Sequence, residues 1–105
     1  MNQRLELEKP LYTLDVAAEM VGSHPRTLMM YEQLGVATRA GGAVGRLRYT
    51  LRDILSLRAI SRLRSRYDMT LADARQMIRC LQLLDAHRIS RPSELRGFDI
   101  EYVRV

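Results

Sequence analysis

Residues 13–36 read T-L-D-V-A-A-E-M-V-G-S-H-P-R-T-L-M-M-Y-E-Q-L-G-V, and residues 41–49 read G-G-A-V-G-R-L-R-Y. The first run encodes two short helices about a turn. Thr13 is an N-cap residue, and Leu14, Ala17, Ala18 and Val21 follow at i, i+3, i+4, i+7, one face of a helix. Gly22 ends that helix and supplies the turn. Pro25 suits the first position of the next helix, with His24 or Ser23 as its cap. At 100° per residue Leu28, Tyr31 and Gly35 share the face that holds His24, while Arg26, Met29, Met30 and Gln33 point the other way. Leu34-Gly35 closes the helix. The inner face is core, and the outer face is what a probe of the DNA major groove would present.

Residues 38–49 place Gly41, Gly42 and Gly45 between short apolar pieces, the pattern of a hairpin with a glycine-rich tip. Thr50 with Asp53 makes a capping-box-like start, and a helix from about 51 to 66 buries Ile54, Leu57, Ile60 and Leu63. Tyr67-Asp68-Met69 breaks it. Thr70 with Asp73 repeats the cap, and a helix from about 71 to 87 buries Leu71, Ala74, Ile78 and Leu81, with Met77 and Leu84 widening the stripe. Ser90 to Gly97 is a connector around Pro92. Phe98 to Val103 alternates like a half-buried strand. The fold class is therefore mainly α: a winged helix-turn-helix with a small β-hairpin wing, two further helices and a short C-terminal strand. Residues 1–11 read as a polar lead without a clear period, 12–88 as the DNA-binding domain, and 89–105 as a short tail.

The chain has 105 residues and a formal net charge of +5, carried by 16 Arg and a single Lys. One small domain fits that length, and a polyanionic partner fits that charge. The excess is uneven: residues 11–49 carry four Arg against three acids, whereas residues 50–88 carry eight against four. Cys80 is alone, so no intrachain disulfide forms. No run has the length of a membrane span and no signal peptide is visible, which predicts a cytoplasmic, nucleoid-associated protein.

On this frame the candidate DNA contacts are His24, Arg26, Thr27 and Met30 on the second helix, and Arg39, Arg46, Arg48 and Tyr49 in the hairpin. Arg58 and Arg62 follow on the next helix. Arg26 suits a bidentate contact to guanine or a phosphate, and Thr27 a phosphate bond. Tyr49 reads chiefly as the packing residue that anchors the wing. Arg58, Arg62 and Arg66 at i, i+4, i+8 repel one another unless an anion or an acidic neighbour lies close.

The ordered series resembles the N-terminal DNA-binding region of MerR-type transcription regulators over roughly residues 12–84. The matching elements are Thr13, Gly22, Arg26-Thr27-Leu28, Tyr31-Glu32, Leu34-Gly35-Val36, the Gly45–Tyr49 wing and Thr50-x-x-Asp53. His24-Pro25, Thr27-Leu28 and the following Tyr-x-x-Leu-Gly are similar to the heat-shock repressor branch. The resemblance implies a dimeric, sequence-specific regulator acting at promoters, with repression as the sign in that branch. It implies double-stranded DNA and a second copy of the chain as partners, with a chaperone or other regulatory protein as a third. Relatives carry Arg and Tyr where Met29 and Met30 stand, and often Arg where Leu47 stands, so some phosphate contacts are displaced or lost.

Relatives also dimerise through a long helix for which Asp85 to Pro92 leaves no room. Met77, Leu81, Leu84, Phe98, Ile100 and Tyr102 are the expected dimer contacts, and Cys80 reads as a core or interface residue. Two further functions share this pattern: an excisionase-like architectural protein that bends DNA, and an interaction adaptor that has lost DNA binding. His24, His87 and Cys80 lack metal-site spacing, the clustered cysteines of metal-sensing relatives are missing, and no nucleophile–base pair stands out. No metal, cofactor or catalysis is expected.

Overall fold

Four of the elements begin where the sequence supplies a cap. The computed structural model describes residues 3–41 and 47–105, the side chains of residues 3–5 excepted. Helix α2, Leu14–Val21, opens on Thr13, whose hydroxyl accepts the Val16 N–H at 3.3 Å. It stops at Gly22, which adopts φ 80°, a left-handed conformation that glycine takes without a Cβ penalty. Helix α3, Pro25–Gln33, opens on His24, and Nδ1 of that side chain accepts the Arg26 N–H at 3.1 Å. The antiparallel hairpin pairs Ala40 with Arg48 and Gly41 with Leu47, its arms being β1, Ala40–Gly41, and β2, Leu47–Arg48. Arg46 and the glycine tip lie outside the described residues.

Helix α4, Leu51–Tyr67, carries a full capping box. The Thr50 hydroxyl accepts the Asp53 N–H at 3.1 Å, and the Asp53 carboxylate accepts the Thr50 N–H at 3.0 Å. It ends at Asp68, φ 53°. Helix α5, Leu71–Ala86, repeats half of that device, with the Thr70 hydroxyl accepting the Asp73 N–H at 3.1 Å. A 3₁₀ turn follows at Ser93–Leu95.

One cluster of buried side chains joins these elements. Ala17, Ala18 and Val21 of α2, Leu28 and Tyr31 of α3, Ile54, Leu57, Ile60 and Leu63 of α4, and Ala74, Ile78 and Leu81 of α5 belong to it. Helix α4 is the spine, with α2 packed against it on one side and α5 on another. Each large aliphatic group in this cluster contributes about 1.5–3 kcal/mol relative to exposure.

Three expectations are corrected here. Residues 3–8 form a short helix, α1, and its Leu7 is buried. Six residues are too few to display a period, so the helix is specified by its packing on α4. The C-terminal alternation is no strand: among the described residues after α5 there is none. Ile100 and Val103 are the buried pair, spaced by three, and the Val103 N–H bonds the Ile100 carbonyl at 3.1 Å. The tail finds side-chain partners instead of a strand. The Arg104 N–H bonds Ser56 Oγ at 2.9 Å, Gln82 Nε2 donates to the Val103 carbonyl at 2.8 Å, and Arg75 and Arg79 donate to the Val105 main-chain oxygen at 3.2 and 2.7 Å. Cys80, finally, is exposed on α5 and not a core residue.

Candidate nucleic-acid interface

The two faces of α3 separate as the periodicity requires. Leu28 and Tyr31 are buried, whereas Arg26, Met29 and Met30 are exposed, the two methionines by 46% and 40%. Thr27 is half-buried beside Arg26, its N–H bonded to the His24 carbonyl at 2.9 Å. Because Nδ1 of His24 is an acceptor, its Nε2 carries the proton in the neutral ring and remains a donor for an anion. The helix is held from behind. Arg64 of α4 donates to the Tyr31 hydroxyl at 3.1 Å and to the Met69 carbonyl at 3.3 Å, with its guanidinium 5.8 Å from the Tyr31 ring centre. The Ser23 and Ser61 hydroxyls meet at 3.4 Å, tying the turn between α2 and α3 to α4. The Tyr31 hydroxyl is thus engaged internally.

The wing is anchored at its base. Leu11 and Tyr12 donate main-chain bonds to the Tyr49 carbonyl, both at 3.0 Å, and the Tyr49 N–H returns one to the Tyr12 carbonyl at 2.7 Å. Tyr49 is fully buried, and its hydroxyl donates to Glu32 near the end of α3. Burial, reinforced by that bond to a carboxylate, raises the phenol far above its ordinary range and keeps it protonated. Tyr49 is therefore removed from the contacts available to DNA. Arg39 is also turned inward: Nε and Nη2 grip the two Glu32 carboxylate oxygens at 2.6 and 3.3 Å. The charge of Arg39 marks it as a DNA contact in the sequence, but Glu32, seven residues earlier, claims it in the fold. Arg48 on β2 is half-buried, and Leu47 beside it is exposed.

Arg58 and Arg62 stand exposed on α4, and Arg66 lies with its guanidinium 5.3 Å from the Tyr67 ring centre. The guanidiniums of Arg26, Arg48, Arg58 and Arg62 have no hydrogen-bonding or ionic partner among the described residues. These four offer their donors to an outside anion. Of the expected dimer residues, Leu81 and Ile100 are buried in the protomer's own core, which withdraws them from any partner. Met77, Leu84, Phe98 and Tyr102 are half-buried. Leu83, outside that expected set, is 60% exposed. Among the described residues no three metal-ligating side chains converge, and no helix is long and apolar enough to cross a membrane.

A helix-turn-helix braced on a third helix, with a basic exposed face and a hairpin pinned beside it, defines a winged-helix DNA-binding regulator. The model of the MerR HTH family of regulatory proteins matches residues 12–81, and the chain belongs to that family. It is similar to heat shock protein HspR of Streptomyces coelicolor, with 35% identity over 71 residues. That match covers 68% of this chain and 47% of the relative, so the chain corresponds to about half of the relative's length. Family and branch thus agree with the residues that suggested them. No solved structure matches the chain.

Proposed function

We propose that the protein is a dimeric repressor that reads a two-half-site operator with α3 and clasps the flanking backbone with the wing and α4. The observation that supports this most directly is the sorting of arginines. Arg26 on the outer face of α3, Arg48 on the wing and Arg58 and Arg62 on α4 keep their donors free, while others are occupied within the fold. Phosphate contacts fix register and base contacts confer specificity, so Arg26 serves the second role and the other three the first. Met29 and Met30 replace polar contacts by apolar ones against thymine methyls or sugars. Repression follows from the likeness to the heat-shock repressor branch, and two half-sites require two protomers.

The dimer contact proposed is the outer face of α5, with Met77, Cys80, Leu83 and Leu84 along it and Ile89 beyond its end. An exposed apolar stripe of this kind suits an isologous contact about a two-fold axis.

The test is a salt titration of binding to a duplex selected from a randomised pool. Arg26→Ala should lose about 1–3 kcal/mol and relax preference at one base step. Arg48→Ala should weaken all sequences alike and flatten the salt slope. Arg79→Ala, whose guanidinium holds the tail, should bind as the parent does. Parental affinity in both the Arg26 and Arg48 variants sinks the reading. Leu83→Asp should shift sedimentation toward monomer; an intact dimer there moves the interface off α5.

A further inference from the structure

Among the described residues the hairpin pairs two residues on each arm. A lone two-stranded ribbon is marginal in water and does not fix its own orientation. Its direction relative to α3 must come from its base, where three chain segments converge on one carboxylate. Arg39 immediately precedes β1 and Tyr49 immediately follows β2. Glu32 sits in the last turn of α3 and holds both legs, Arg39 through two bonds and the Tyr49 hydroxyl through a third. The Arg39 guanidinium also lies 5.9 Å from the Tyr49 ring centre, closing the triangle. The Glu32 and Arg39 side chains are only 20% and 22% exposed. A carboxylate so enclosed needs its counter-charge, and the counter-charge is thereby withheld from solvent.

We infer that Glu32 is a positioning residue for DNA recognition: it sets the angle of the wing against α3 and keeps Arg39 off the phosphate backbone. The inference rests on the DNA-binding reading above but adds a distinct role, because Glu32 itself faces inward. Two consequences follow. Releasing the wing lowers discrimination, since contacts from α3 and the wing no longer fall in one register. Releasing Arg39 adds a cation that recognises phosphate without regard to sequence.

The experiment compares the parent with Glu32→Gln, Tyr49→Phe and Glu32→Gln combined with Arg39→Ala. Glutamine and phenylalanine preserve shape, so the core is retained. Affinity is measured against the pool-selected duplex and against poly(dI-dC) over a range of salt. Loss of a charge-assisted bond should reduce the ratio of the two affinities about tenfold in both single variants. In Glu32→Gln the salt slope on poly(dI-dC) should steepen by roughly one unit as Arg39 gains a phosphate, and the double variant should return to the parental slope. A residue that merely stabilised the fold would leave that slope alone.

Hydrogen exchange on the free proteins supplies the second measurement. The Tyr12 and Tyr49 amides should exchange faster in Glu32→Gln while those of α4 and α5 stay as in the parent. Unchanged discrimination, slope and exchange in Glu32→Gln overturn the inference. A parent that binds no DNA sinks the functional reading instead, and the exchange pattern then decides the joint by itself: selective loosening of the wing upholds it, and parental exchange ends it.

Discussion

The helix-turn-helix with its wing and the α4–α5 pair with its tail divide their arginines differently: α4–α5 leaves Arg58 and Arg62 outward but turns Arg52, Arg64, Arg75 and Arg79 into the fold. Residues 11–49 carry a net +1 and residues 50–88 a net +4, yet it is in the second segment that many guanidiniums turn inward. Arg52 donates to the Tyr102 carbonyl, Arg64 to that of Met69, and Arg75 and Arg79 to the Val105 main-chain oxygen. Further on, Arg91 grips both the Leu95 and Phe98 carbonyls and Asp85. Arg64 apart, these side chains staple an irregular tail whose carbonyls have no strand or helix to satisfy them. Among the described residues of the first segment Arg26 and Arg48 keep their donors outward and Arg39 is bound, to Glu32. Segment charge therefore does not show which guanidiniums are available to an anion; the acceptors each one meets in the fold do.

If the buried seam of α4–α5 is scaffold and the helix-turn-helix is reader, damage to that seam should act through stability alone. The largest effect is expected from Ile60→Ala in the fully buried seam of α4. It should cost about 2–5 kcal/mol in denaturant unfolding, and DNA binding should be recovered wherever the variant is still folded. Binding lost in a folded Ile60→Ala protein would break the division. Ser56→Ala comes next. Its hydroxyl donates to the Arg52 carbonyl at 2.8 Å and accepts the Arg104 N–H, so removal strands a main-chain donor of the tail. About 1–3 kcal/mol should be lost, with the tail amides exchanging faster and operator affinity unchanged.

Thr50→Ala sharpens the comparison because that residue joins the wing to α4. Removing the cap should cost roughly 1 kcal/mol in thermal unfolding. If it also lowers affinity in the folded protein, the wing is positioned through the start of α4 as well as through Glu32. The smallest effect concerns acid. Arg91 holds the Asp85 carboxyl below its usual range, chiefly through their hydrogen bonds. A depressed folded pKa stabilises the protein above the unfolded carboxylate value, about 4, and that contribution fades as pH falls through the folded one. Asp85→Asn should therefore remove a small part of the acid sensitivity of unfolding below about pH 4 and leave operator binding at neutral pH as it was.

Local chemistry explains how much could be read beforehand. Thr13, Gly22, Pro25, Thr50 and Thr70 act on backbone within four residues of themselves, so the starts and stops of α2, α3, α4 and α5 follow from sequence alone. So do the buried faces of those helices, because 3.6-residue spacing sorts side chains without reference to neighbours. That same sorting placed Arg26 and Met30 outward before any contact was known. What remained hidden depends on separation along the chain. The Tyr49 hydroxyl meets Glu32 across seventeen residues, Arg104 meets Ser56 across forty-eight, and Glu8 meets Arg52 across forty-four. No local pattern encodes such pairs, since any acid has several possible cations. The tail shows this most plainly. Phe98 to Val103 alternates as a strand would, but a strand needs a second strand, and α4 and α5 offer side-chain donors instead. Sequence alone determined α2 to α5, their caps and the outward face of α3 that carries Arg26. Only tertiary structure decided which arginines keep their donors outward and which hold the fold, because that choice rests on acceptors brought near by packing.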